Sequence, residues 1–411
     1  MRLKPYFLLF IVTIISLVSL NIFLQTNKEK ESDTKIQNQL RETLATHFNF
    51  HLINKNEDPN TYTRSQMSIC YQNGGIDLCY KHVANLLYYQ FGLEKNIDLF
   101  ESNENYPEIF SRCHEVTHFL SRLDYDLEKS LPKVFDKCSF ICHGGCYHGT
   151  VEAYLNSKNI RSSSDNSDEK IAKEIPILCG KQSDYDIPQK YDECVHGIGH
   201  GTMYVTDQEV PIALQLCDQL TSSHDQEACY SGVFHENSSS STNTDHPGKY
   251  YKKDDPMYPC NILEEKYLPL CYRYQSSFFA FFLTNHDWQQ TANLCLQVPP
   301  KYQYECFQTI GTNQVGFTQD LGLMAQNCYS MPPQYQSICI SGVVISLAGR
   351  YTNQPEKILA FCSSIDPNQQ LACYGQMGKS ISAWSRDSNS KKNICQKVTD
   401  PLFATICENA T

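Results

Sequence analysis

Between Glu356 and Trp384 the chain reads EKILAFCSSIDPNQQLACYGQMGKSISAW, two amphipathic stretches parted by Asp366-Pro367. The spacing of apolar positions predicts a helix on each side of that break. Asp accepts free amides at a helix start, and Pro lacks the amide that would go unpaired there, so the second helix begins at the break. Cys362 and Cys373 sit about one and a half helical turns to either side. An antiparallel helix pair would bring them face to face, and a disulfide there would clamp the hairpin. Pro299-Pro300 and Pro332-Pro333 mark the same place in neighbouring stretches.

The frame recurs along the chain. Cys217/Cys229, Cys260/Cys271, Cys295/Cys306, Cys328/Cys339, Cys362/Cys373 and Cys395/Cys407 are each 11 or 12 positions apart, and Cys70/Cys79 and Cys179/Cys194 are looser versions. From Cys271 onward the second cysteines recur every 33 to 35 positions. Self-similarity at about 34 residues is the signature of stacked helix-turn-helix units. The expected fold is therefore all-α: disulfide-clamped helix-hairpin repeats forming an α-solenoid. Cys113, Cys138, Cys142 and Cys146 stand outside the frame, and their spacing leaves three pairings open.

Ahead of the repeats lies an apolar run from Tyr6 to Leu24. It nearly spans a hydrocarbon core of about 30 Å and has no clear small-x-small cleavage site, so it reads as an uncleaved signal-anchor. Basic residues flank it on both sides (Arg2 and Lys4, Lys28 and Lys30), so charge does not orient it. Cysteine does. Twenty cysteines, an even count at regular spacing, read as a disulfide framework that persists only outside the reducing cytosol. The expected organisation is an N-terminal transmembrane helix over 1–25, a polar stalk over 26–60, His/Cys-rich repeats over 61–258 and Cys-paired scaffold repeats over 259–411. The partners expected are the membrane, through that helix, and a substrate or protein not identifiable from the chain. A net charge of −11 speaks against a nucleic-acid-binding surface. Two polar insertions, 156–170 and 236–256, interrupt the period after histidine-bearing helices.

Histidine is confined to particular places in the frame. His148 and His196 fall two positions after Cys146 and Cys194; Glu152, His200 and His235 fall six after Cys146, Cys194 and Cys229. Positions two and six are about 40° apart on a helix, so they share a face. Later units carry Ser277, Thr312, Ile345 and Lys379 at the sixth position, so histidine is not a filler of the frame. His114 and His118 stand one and five positions after Cys113, about 100° off this column. The dipeptide Cys142-His143 repeats Cys113-His114 and suggests a shifted register in the first two units. Stacked hairpins would gather His114, His118, His143, His148, Glu152, His196, His200 and His235 as ligands for a divalent metal, Zn first, with Fe or Cu also suited to imidazole. Gly144, Gly145, Gly149, Gly197, Gly199 and Gly201 cost helix stability and point to close backbone approach, helix to helix or helix to ligand.

The segment His114-Glu115-Val116-Thr117-His118 resembles the zincin motif. That resemblance implies His114 and His118 as ligands and Glu115 as the general base of a metal-dependent hydrolase, with a third ligand from elsewhere. No metzincin extension follows, since HFLSRLDYD lacks the Gly and third His. Two other classes remain open: a metal-dependent oxidase on the same ligands, and a non-enzymatic binding or scaffold repeat protein.

Overall fold

The computed structural model describes residues 37–410 apart from 76, 159–166, 240–246, 352–353 and 386–387. The expected transmembrane helix over 1–25 lies outside them; among the described residues no helix is long and apolar enough to cross a membrane. No strand occurs among the described residues either. Ten helices form one stack: α1 (Asp77–Ser102), α2 (Cys113–Glu128), α3 (Gly145–Ser157), α4 (Pro188–Val205), α5 (Ser223–Ser239), α6 (Leu268–Phe278), α7 (Gln303–Phe317), α8 (Pro333–Arg350), α9 (Pro367–Trp384) and α10 (Pro401–Asn409). Each packs on the next. Shorter helices such as Val210–Cys217, Leu321–Tyr329 and Pro355–Ser364 flank the stack and supply the first cysteine of each clamp.

All eight pairs in the frame form as the spacing predicts. Each short clamp contributes about 3 kcal/mol by the chain-entropy estimate. The four cysteines outside the frame resolve into Cys138–Cys146, a further hairpin clamp, and Cys113–Cys142, which ties the start of α2 to the turn before α3. Asp366 caps α9 through the Asn368 amide, with Pro367 in the first turn, and Asp400 caps α10 in the same way.

Two features depart from the linear reading. Residues 37–60 do not stand apart as a stalk: Leu40, Phe48 and Phe50 are buried in the common core, apolar side chains masked in the sequence by their polar neighbours. The stack also curls back on itself. Lys357 Nζ reaches Glu104 Oε1 at 3.0 Å, Gln319 Nε2 donates to the Glu104 carbonyl at 2.8 Å, and the Arg350 guanidinium lies 4.0 Å above the Phe110 ring. Of the insertions, residues 167–170 open the helix Ser167–Leu178, and Asn237 Nδ2 holds the Tyr250 carbonyl at 3.0 Å.

The glycines answer to helix packing. A Cβ on Gly199 of α4 would come within 2.6 Å of Val233 N, and one on Gly232 of α5 within 3.0 Å of Gly199 Cα. Gly311 and Gly342 repeat the arrangement between α7 and α8, where the histidine column is missing. Close backbone contact is thus not confined to the histidine-bearing helices. In α2–α5 it brings side chains of adjacent helices into direct contact.

Candidate metal centre

His114 and His118 lie one turn apart on α2, and His196 and His200 lie one turn apart on α4. The helix following each contributes a further histidine and a carboxylate: His148 and Glu152 from α3, His235 and Glu236 from α5. Six imidazoles from four helices meet in one buried cluster. Ring centres are 4.6 Å apart for His114 and His118, 5.0 Å for His196 and His200, and 4.7 Å for the stacked rings of His148 and His200.

Hydrogen bonds fix which nitrogen of each ring carries the proton. His114 Nδ1 donates to the Cys142 carbonyl at 2.8 Å, and His118 Nδ1 donates to Glu152 Oε1 at 2.9 Å. On α4, His200 Nδ1 donates to Glu236 Oε2 at 2.9 Å, and His196 Nδ1 to Ser231 Oγ at 2.6 Å. Ser231 in turn spends its own proton on the Ala228 carbonyl. With each Nδ1–H committed, every Nε2 presents a lone pair. His114 Nε2 and His118 Nε2 are 3.2 Å apart, and so are His196 Nε2 and His200 Nε2. Two lone pairs at that separation repel unless a cation lies between them. Nitrogens bound at 2.0–2.1 Å to one tetrahedral ion are about 3.3 Å apart, so the fit is close. His148 adds a further ring: its Nε2 meets Glu193 Oε2 at 2.9 Å, while its buried Nδ1 has no hydrogen-bond partner. Ligand atoms of His114, His118 and His148 lie within 4.8 Å of one another, as do those of His148, His196 and His200, and of His118, Glu152 and His200.

Burial disfavours the charged form of His114, His148, His196, His200 and His235, leaving the neutral form that binds metal. It pushes His114 down to about 4 and His196 to about 3, and holds His148, His200 and His235 well below the ordinary histidine value. Burial pushes the Glu152 carboxyl up, but His118 and Arg122 outweigh it and hold it below its usual value. Glu236 lacks such support; burial and the nearby Glu152 push it up to about 7. A carboxylate behind each HxxxH pair orients the imidazole and raises its basicity.

The turn before α3 is strained to serve the site. Cys142 (φ 59°) and His143 (φ 53°) adopt the left-handed conformation that L side chains rarely take. This turn aims the Cys142 carbonyl at His114, and the Cys113–Cys142 disulfide holds it there. The centre opens on a cleft of about 450 Å³. His114, His118, Glu152 and Glu236 line it together with Glu115, Arg112, Arg122, Phe119 and Tyr204.

Of the residues singled out in the sequence, His114, His118, His148, Glu152, His196, His200 and His235 converge. Glu152 stands behind His118, an acceptor for its Nδ1–H. His143 does not join the donor set: its Nε2 lies 3.3 Å from Arg350 Nη1, an N–H donor, because the left-handed turn swings it toward α8. Glu115 faces the cleft but pairs with Arg112 at 3.2 Å. Glu193 and Ser231 emerge only in the structure. Ser231 had a signal, since it occupies the same second position after Cys229 that His148 and His196 hold after theirs. The chain matches no family model, no curated protein and no solved structure.

Proposed function

We propose that this disulfide-rich helical protein is a metal-dependent hydrolase working outside the cytoplasm, with a transition-metal cation held by His114, His118 and His148 beside the cleft that the first two line. The observation that carries the reading is the 3.2 Å approach of two Nε2 lone pairs whose rings are locked by Cys142 and Glu152. When bound, such a cation supplies Lewis acidity and brings the pKa of a coordinated water to about 7. The protein's own groups do the rest. Glu152 and the Cys142 carbonyl orient the ligand rings. Glu115, on the cleft wall one residue from His114, is the proposed general base once substrate displaces it from Arg112. Arg112 and Arg122 offer donors to a carbonyl or phosphoryl oxygen, and Phe119, Leu123 and Tyr204 give the cleft an apolar side. The ten disulfides favour an oxidising compartment, and residues 1–25 are the proposed membrane anchor.

An oxidase reading has one observation in its favour: the donors are imidazoles, a set that suits copper as well as zinc. Metal analysis of the purified protein, together with assays against ester, amide and phosphoester substrates, tests the proposal. Zinc in the wild type, with metal and turnover both lost in His114→Ala/His118→Ala, supports hydrolysis. Copper with oxygen consumption supports the second reading. A wild type that neither carries nor takes up either metal rejects both.

A further inference from the structure

We infer that the cluster holds two cations, the second seated on His196, His200 and His235. The inference rests on the metal reading of the first three rings, and it adds a site that the cleft does not reveal. Neither His196, His200 nor His235 lines the cleft wall.

The α4–α5 pair repeats the design of α2–α3. Each begins with histidines one turn apart on one helix, with Nε2 atoms 3.2 Å from each other. In each, a carboxylate from the next helix takes the Nδ1–H of the second histidine, Glu152 in one and Glu236 in the other. In each, the next helix also sends in a third imidazole, His148 or His235. His235 Nδ1 stands 3.3 Å from His196 Nε2, and its ring stacks on Tyr274 at 5.4 Å. Ser231 fixes His196 so that its Nε2 lone pair points inward with no proton of its own.

The ring positions select the same grouping. His114, His118 and His148 have centres 4.6 to 5.5 Å apart in every pairing. His196, His200 and His235 span 5.0 to 5.5 Å in every pairing. Donor atoms of His148 also come within 4.8 Å of those of His196 and His200, so this ring stands at the junction of the two groups, while His114 and His200 have centres 6.4 Å apart. Six nitrogen donors also exceed what one tetrahedral ion accepts. Neutral nitrogen donors select a borderline or soft d-block cation such as Zn²⁺ or Cu⁺, and select against Ca²⁺ and Mg²⁺, which take oxygen.

The test is stoichiometry on the full-length protein, stripped by chelator, reloaded with Zn²⁺ or separately with Cu⁺ and freed of excess, with metal per chain measured by mass spectrometry. Two equivalents are expected in the wild type. One equivalent should remain in His196→Ala/His235→Ala, and one in the reciprocal His114→Ala/His118→Ala, with helicity by circular dichroism confirming that each variant is folded. One equivalent in the wild type overturns the second site and leaves the first standing; this result needs no variant to fold. No bound metal at all overturns the first reading along with it. A single equivalent lost in both double variants means one ion shared by all six rings, and also overturns the proposal.

Discussion

Glu152→Gln isolates the electrostatic part of the centre from its shape. The carboxylate is buried on α3, with Oε1 accepting from His118 Nδ1 at 2.9 Å and Oε2 3.5 Å from Arg122 Nε. Glutamine has the same outline. Its carbonyl can still accept from His118, which leaves its amide facing the Arg122 Nε–H, donor against donor. Arg122 keeps the His118 carbonyl at 3.3 Å as an acceptor. Two effects follow. The folded protein loses about 1–3 kcal/mol for the mispaired buried groups. Independently, His118 becomes a weaker ligand, because a neutral acceptor no longer raises the basicity of its Nε2. Replacing such a partner lowers metal affinity about 10- to 100-fold, which is about 1.4–2.8 kcal/mol. Competition titration against a chromophoric zinc chelator reads the affinity, and thermal unfolding of the metal-free protein reads the first effect. Wild-type zinc affinity in a folded Glu152→Gln protein of unchanged stoichiometry would refute the reasoning, for His118 could not then be a ligand tuned by Glu152.

Other perturbations separate the site from its scaffold. Cys113→Ser/Cys142→Ser removes a bridge of sequence separation 29, costing about 3.5 kcal/mol by chain entropy; it should also weaken metal binding through His114, whereas Cys395→Ser/Cys407→Ser should lower only the melting temperature. Chelation of the loaded protein should lower the melting temperature reversibly, the loss approaching about 4 kcal/mol at a metal concentration a thousandfold above Kd; an unchanged transition would show that nothing binds the folded state selectively. Asp218 accepts from Tyr230, Lys266 and Tyr267; burial raises its pKa, but these bonds outweigh it and hold it below the ordinary 3.8. Its contribution is therefore present above pH 3.8 and lost as pH falls through the folded-state value, so Asp218→Asn should cost about 1–3 kcal/mol at neutral pH and nothing under strong acid, with metal affinity untouched. Denaturation series across pH would expose a constant difference if this sign is wrong.

Much of this architecture is written in local pattern. The spacing of Cys362 and Cys373 around Asp366-Pro367 dictates a clamped hairpin from interactions no more than a few turns long, and the structure keeps it unchanged. The second and sixth positions after each cysteine give the column of His148, His196, His200 and His235 for the same reason. What escaped was set by contacts distant in the chain. The sequence already offers His114 and His118 as ligands, but the packing of α2 on Gly145 and Gly149 of α3 that carries them there, despite their offset from Cys113, is such a contact. The pairing of Cys113 with Cys142 and the departure of His143 toward Arg350 both follow from one left-handed turn and from the curl that brings α8 beside it. Neither leaves a periodic trace. Glu193 is one exposed-looking acid among many until α3 and α4 pack and place it on His148.

Anomalous diffraction from metal-loaded crystals tests the central claim most directly, because it locates the ion and its neighbours in a single experiment. The account predicts density among the histidines of α2–α5, with Nε2 of His114 and of His118 in the shell of one ion at about 2.0–2.1 Å. Peaks confined to surface carboxylates, or a loaded crystal with the six rings bare, would contradict it.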